Sequence, residues 1–250
     1  NEGLQFFPTG IDHGTITILL NRQLFEVTTF RKDILTDGRH ASVAFLGNIQ
    51  EDARRRDFTM NALYADKNGV ILDPLNGFKD LHEKRERFIG DANKRIKEDY
   101  IRILRFFRLS AWYSDPKTGS DPDTLNAITQ NLQGLQKLSR ERISVEIIKL
   151  LAAPNPAPTV TTMQNTAVLK SIIADANDRL LPILIEHEKT SHTSPNPMRR
   201  LAAIGKSTHV PLLVPTSRSS SGRFRVRHAL NILRSASSSS STACLNVVSQ

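Results

Sequence analysis

The chain has 250 residues, 39% hydrophobic and 24% charged, which suits one large or two small folded domains and excludes a chain too polar to build a core. No run approaches the roughly 18 apolar residues of a membrane helix. The opening Asn1-Glu2-Gly3-Leu4 lacks the basic and apolar stretches of a signal peptide, and the single Cys244 rules out an internal disulfide framework, so a cytoplasmic protein without a membrane partner is expected. The net charge of +9 invites a polyanionic partner. Eight of those charges, from Arg199, Arg200, Lys206, Arg218, Arg223, Arg225, Arg227 and Arg234, lie beyond residue 190, where Asp and Glu are absent. RNA binding must therefore be argued from local clusters.

In chain order, Thr9-Gly10-Ile11-Asp12-His13-Gly14 reads as a tight turn entering a β-hairpin. Thr15–Leu20 and Leu24–Phe30 are its β-branched and aromatic arms around the polar Asn21-Arg22-Gln23. Alternation puts Glu26, Thr28 and Phe30 on one face and Phe25, Val27 and Thr29 on the other. The apolar spacing turns helical over about 52–65 and again over 94–113, where Ile103, Phe106, Phe107 and Ser110 share a face. Residues 114–123 read as a loop, followed by helices near 124–131, 139–152, 165–174, 177–188 and 197–204, with Pro154-Asn155-Pro156-Ala157-Pro158 as a break. The class is α+β, with strands first and helices after. Ten serines between Ser217 and Ser241 predict that the end of the chain stays unpacked.

Two clusters carry chemistry. Asp99 and Arg102, three residues apart on the predicted helix, place an acceptor edge beside a fork of donors, a pairing that can match the Watson–Crick edge of a base. A surface ion pair is the bland alternative for such a spacing. Asp57 and Asn61, four apart, bring a carboxylate and an amide to one place where a ribose hydroxyl could donate and accept, and Arg55 and Arg56 stand beside them for phosphate. Here the alternative is a charged helix start.

Arg55-Arg56-Asp57-Phe58-Thr59-Met60-Asn61-Ala62, then Leu72-Asp73-Pro74-Leu75-Asn76-Gly77-Phe78-Lys79-Asp80-Leu81, then Glu98-Asp99-Tyr100-Ile101-Arg102-Ile103-Leu104-Arg105 occur here in an order that resembles one family. It is that of the class II tRNA nucleotidyltransferases, the CCA-adding enzymes, with the bacterial poly(A) polymerases. The resemblance covers roughly residues 8–205. It implies a truncated mixed-sheet nucleotidyltransferase palm at 1–66, an α-helical neck at 67–153, a tRNA-binding α-helical body at 154–210 and a Ser/Arg-rich tail at 211–250.

The implied activity is template-independent addition of CMP and AMP to a tRNA 3′ end, with tRNA, ATP and CTP as partners and Mg²⁺ as cofactor. Asp99 and Arg102 would read the base with Arg105 beside them, Asp57 and Asn61 the ribose, and Arg55 and Arg56 the triphosphate. Glu26 would lie near the metal site, and Asp37-Gly38-Arg39 resembles a loop beneath the triphosphate. Lys137, Arg140 and Arg142 are candidate RNA contacts, for which a solvated helix face is an equal explanation.

The family's opening Gly-rich turn and Asp-x-Asp strand have no counterpart, so the main metal ligands are unassigned. Asp121-Pro122-Asp123 is the sole Asp-x-Asp, and its proline bars it from a sheet interior. The chain is expected to begin inside a longer protein and to be inactive by itself. A poly(A) polymerase and a non-catalytic nucleotide- or RNA-binding module are the alternatives.

Overall fold

The computed structural model describes residues 5–11, 14–36, 41–45, 48–115 and 119–205, with side chains described for all but 31–36 and 41–45. His13, the Asp37-Gly38-Arg39 loop and the serine-rich tail lie outside these residues. The chain divides into two compact units, with the division falling between Lys79 and Asp80.

In the first unit, β1 (Gln5–Gly10), β2 (Thr15–Leu20) and β3 (Gln23–Thr28) form an antiparallel sheet in the order β1-β2-β3. The expected hairpin is its β2–β3 part, paired from Thr15↔Thr28 to Leu20↔Gln23. Its two-residue turn, Asn21-Arg22, takes left-handed φ of 51° and 63°, the geometry whose twist matches the strands. Threonine hydroxyls tie neighbouring strands together, Thr9 to Thr17 at 2.7 Å and Thr15 to Thr28 at 2.9 Å. A second antiparallel pair, β4 (Arg31–Thr36) and β5 (Ala41–Phe45), was not anticipated.

Asn48 caps α1 (Ile49–Arg55), its side chain accepting from the Gln50 amide at 2.8 Å. The helix expected over 52–65 stops at Arg55, because Arg56 turns extended at φ −69°, ψ 166°. A 3₁₀ turn, Thr59–Asn61, follows, and β6 (Tyr64–Ala65) pairs antiparallel with β7 (Ile71–Leu72). The Asp73 carboxylate then accepts from the Gly77 and Phe78 amides at 2.8 and 2.9 Å and starts α2 (Gly77–His82). A Cβ on Gly77 would stand 2.0 Å from the Thr59 carbonyl oxygen, so this helix start lies directly on the backbone of the 3₁₀ turn. All strand pairings among the described residues are antiparallel.

The second unit is helical: α3 (Ala92–Glu98), α4 (Ile101–Tyr113), α5 (Pro122–Gln130), α6 (Arg140–Leu151), α7 (Ala157–Asn165), α8 (Val168–Ile172), α9 (Leu180–Thr190) and α10 (Pro197–Ile204). The single helix expected over 94–113 is two, since Asp99 is extended at φ −155°, ψ 109°. Ile101, Ile103, Leu104, Phe106 and Phe107 of α4 are buried, and Phe106 meets Phe88 and Phe107 at ring distances of 6.0 and 5.2 Å.

Asp121 caps α5 through the Thr124 amide at 2.9 Å, so Asp121-Pro122-Asp123 is a helix start and not a strand. The proline break is likewise a start, with α7 beginning at Ala157. The helix expected over 165–174 is the end of α7 plus α8, parted by Ala167 at φ 59°.

At the far end of the unit Arg200 is 1% exposed. Its Nε donates to Glu188 at 2.9 Å, and its Nη1 donates to the carbonyls of Leu151 and Ala153 at 2.7 and 2.6 Å. An α10 cation thereby closes the C-terminal end of α6.

Candidate functional site

In the first unit the candidate phosphate arginines are organised by Asp52, which the sequence reading passed over. Asp52 is 1% exposed. Its Oδ1 accepts from Arg55 Nε and Nη2 at 2.9 and 2.7 Å. Its Oδ2 accepts from Arg56 Nε and Nη2 at 3.2 and 3.0 Å and from the Tyr64 hydroxyl at 2.7 Å. Burial alone would raise the Asp52 carboxyl, but the Tyr64 hydroxyl and the two guanidiniums outweigh it and hold it below the usual carboxylate range. Burial pushes the Tyr64 phenol far above its ordinary value, against the pull of Arg56. Arg56 also donates to the Asn61 carbonyl at 3.1 Å. The two arginines are thus aimed by one carboxylate.

Asp57 and Asn61 do converge, although not on a helix. The Asn61 amide nitrogen donates to Asp57 Oδ1 at 3.0 Å, and the same oxygen accepts from the Phe58 amide at 2.9 Å. The 3₁₀ turn brings them together where an α-helix was expected to.

In the second unit Asp99 and Arg102 flank the α3–α4 junction. Asp99 Oδ1 accepts from the Ile101 amide at 3.3 Å, and its Oδ2 accepts from Arg142 of α6 at 2.7 Å. The Arg102 guanidinium does not pair with the Asp99 carboxylate, and the two residues meet through the Arg102 amide, which donates to the Asp99 carbonyl at 3.1 Å. Its Nη1 donates to Glu98 Oε2 at 2.5 Å and to the Arg95 carbonyl at 2.7 Å. The side-by-side helical pair foreseen in the sequence is therefore corrected to two residues on either side of a break, each held by another partner. Arg105 stands 3.6 Å from Glu146 of α6.

Of the RNA candidates, Arg142 is the Asp99 partner, Lys137 lies 5.6 Å over the Tyr100 ring, and Arg140 is exposed at the start of α6. Glu26 is exposed on β3, opposite Thr17. Among the described residues no group of three or more His, Cys, Asp or Glu could hold a metal ion, and no helix is long and apolar enough to cross a membrane. The carboxylates of the described residues do not fit the two-metal arrangement that the family implies.

The family model described as "Poly A polymerase head domain" matches residues 2–87, and that described as "Probable RNA and SrmB- binding site of polymerase A" matches 121–180. Human "CCA tRNA nucleotidyltransferase 1, mitochondrial" is 36% identical over 236 residues, 92% of this chain and 54% of the human protein. The chain belongs to the family of CCA-adding enzymes and poly(A) polymerases.

Within that family, the CCA-adding enzyme of Streptococcus gordonii is 44% identical over 147 residues, 58% of this chain and 36% of that protein. The structure of the Bacillus stearothermophilus CCA-adding enzyme in complex with CTP superposes with a TM-score of 0.58 at 34% identity, covering 66% of this chain and 39% of that one. The chain spans about half the length of the human relative. It has the nucleotidyltransferase fold of these enzymes, with small antiparallel sheets followed by a helical body.

Proposed function

We propose that this chain is part of a tRNA nucleotidyltransferase that adds CMP and AMP to a tRNA 3′ end, with CTP and ATP as the nucleotides. The observation that carries the reading is the α3–α4 junction, where a carboxylate and a guanidinium three residues apart are each held by an exchangeable protein partner, Arg142 for Asp99 and Glu98 for Arg102. An incoming base offers the same donors and acceptors as those partners and can take their place. In this reading Asp99 and Arg102 select the base with Arg105 beside them, Asp57 and Asn61 bind the ribose, and Arg55 and Arg56, aimed by Asp52, meet the phosphates.

The family use of a divalent metal is read as Mg²⁺, with its main carboxylate ligands missing from this chain. Glu26 is kept as a candidate near that site, and Lys137, Arg140 and Arg142 as RNA contacts. The domain reading of head, neck, body and tail is likewise a proposal. The lone cysteine supports a cytoplasmic location, which imaging of the tagged full-length protein would test against the mitochondrial name of the human relative.

The test of function is incubation of the full-length protein with tRNA lacking its CCA end and all four NTPs. A three-nucleotide extension lost in Asp99→Ala is expected. A long A tail would make the protein a poly(A) polymerase. No extension, with nucleotide binding intact, would make it a non-catalytic binding module.

A further inference from the structure

Trp112 is the chain's single tryptophan. It sits near the end of α4 and is 45% exposed, although most of the apolar residues of that helix are buried. The ring is nonetheless fixed, since its Nε1 donates to the Lys149 carbonyl of α6 at 2.9 Å. One and two turns back along α4, Arg108 and Arg105 share its face. Both reach Glu146 of α6, Arg108 Nη1 at 2.9 Å and Arg105 Nε at 3.6 Å. Lys149 follows Glu146 by three residues on the same helix. Arg105, Arg108 and Lys149 thus gather along the α4–α6 seam beside Glu146, and the Arg105 side chain remains 38% exposed. Burial, with Arg108 beside it, lowers the Lys149 pKa even though Glu146 pulls the other way. Bringing a further anion to this seam would relieve that repulsion.

A fixed, exposed indole next to a row of cations is the composition of a single-stranded nucleic-acid site, in which bases stack on the ring and phosphates meet the cations. We propose that the α4–α6 face formed by Trp112, Arg105, Arg108 and Lys149 binds single-stranded RNA, one base stacking on the Trp112 indole and adjoining phosphates contacting Arg105 and Lys149. This rests on the RNA-acting reading above and deepens it. Neither family model reaches α4, whose residues fall between 87 and 121.

Because the chain has one tryptophan, fluorescence excited selectively at the indole, beyond the absorption of its three tyrosines, reports on this face, and RNA held elsewhere on a basic chain leaves it unmoved. The chain is titrated with a short single-stranded oligoribonucleotide while fluorescence and the anisotropy of a label on the RNA are read together. Saturable quenching is expected to track the anisotropy. Trp112→Ala should weaken binding roughly tenfold and Trp112→Phe much less, since a phenyl ring still stacks. Lys149→Gln should reduce the slope of log affinity against log salt by about 0.7, the contribution of one phosphate contact on a single strand. Circular dichroism melts confirm that the variants fold, and Lys149→Gln keeps the backbone carbonyl that fixes the ring. RNA binding with unchanged fluorescence, or with equal affinity in Trp112→Ala, would overturn this site and leave the RNA-acting reading standing. No binding by either signal would overturn both.

Discussion

Replacing Asp52 with Asn tests whether one buried carboxylate organises the candidate phosphate-binding arginines. The native side chain accepts five hydrogen bonds, four from Arg55 and Arg56 and one from Tyr64. An amide keeps one acceptor oxygen and turns an NH₂ toward a guanidinium that can only donate, while the two guanidiniums, 17% and 13% exposed, lose their shared counter-charge. Removing one partner of a buried pair costs about 3–5 kcal/mol. Since both arginines retain some solvent, the lower end, about 3 kcal/mol, applies, and it lowers the melting temperature by roughly 6–12 °C for a chain of this size.

The effect has a pH signature. The folded carboxyl titrates below its unfolded value of 3.8, so the stability it contributes is present above that value and disappears as the pH falls through the lower folded one. Thermal melts of the two proteins between neutral and strongly acid pH should therefore converge in acid. CTP binding should weaken in the variant as the arginines lose their aim. A neutral-pH melting temperature within a degree or two of the parent, with unchanged CTP binding, would refute the argument.

Other outcomes follow from the same reasoning. Arg102→Ala should weaken CTP and ATP together by about 1–3 kcal/mol in equilibrium binding, and unchanged binding by a folded variant would remove Arg102 from base selection. Gly77→Ala sets a methyl 2.0 Å from the Thr59 carbonyl oxygen and 2.6 Å from its carbon, so backbone must move. A loss of about 3 kcal/mol in urea unfolding is expected. Glu86, 7% exposed, is pushed above its usual value of 4.5 by burial despite hydrogen bonds from Ser114 and Ser120. Its stabilising contribution is full below 4.5 and is lost as the pH rises through the folded value. Glu86→Gln should accordingly melt higher than the parent near pH 7, and an equal or lower melting temperature there would show that the hydroxyls satisfy the charge.

Local signals predicted what local forces decide. The β2–β3 hairpin was legible because β-branched arms flank a polar turn. The bounds of α10 were legible because Asn196 caps it and Pro197 opens it. The apolar spacing runs unbroken across residue 99, so the α3–α4 break was invisible to it. There Asp99 takes the Ile101 amide and a guanidinium 43 residues away, a partner no local spacing can name. Asp52 was legible in principle, since it precedes Arg55 and Arg56 by three and four residues, the spacing of helical ion pairs. Pairing of β4 with β5 lacked the clean alternation that marked the hairpin, and α7 hid behind prolines that end one helix and also suit the first turn of the next.

The guanidinium of Arg200 gives the helical unit a direction in time. Chain emerging from the ribosome presents the end of α6 long before it presents α10. Until then the carbonyls of Leu151 and Ala153 and the carboxylate of Glu188 face water or one another. Closing that gap spans a segment of 49 residues, so the contact is made late and against loop entropy. A ribosome that stalls before α10 would therefore expose an unfinished helix end and an unmatched acid. Such a nascent chain is one that chaperones would hold and proteases would find.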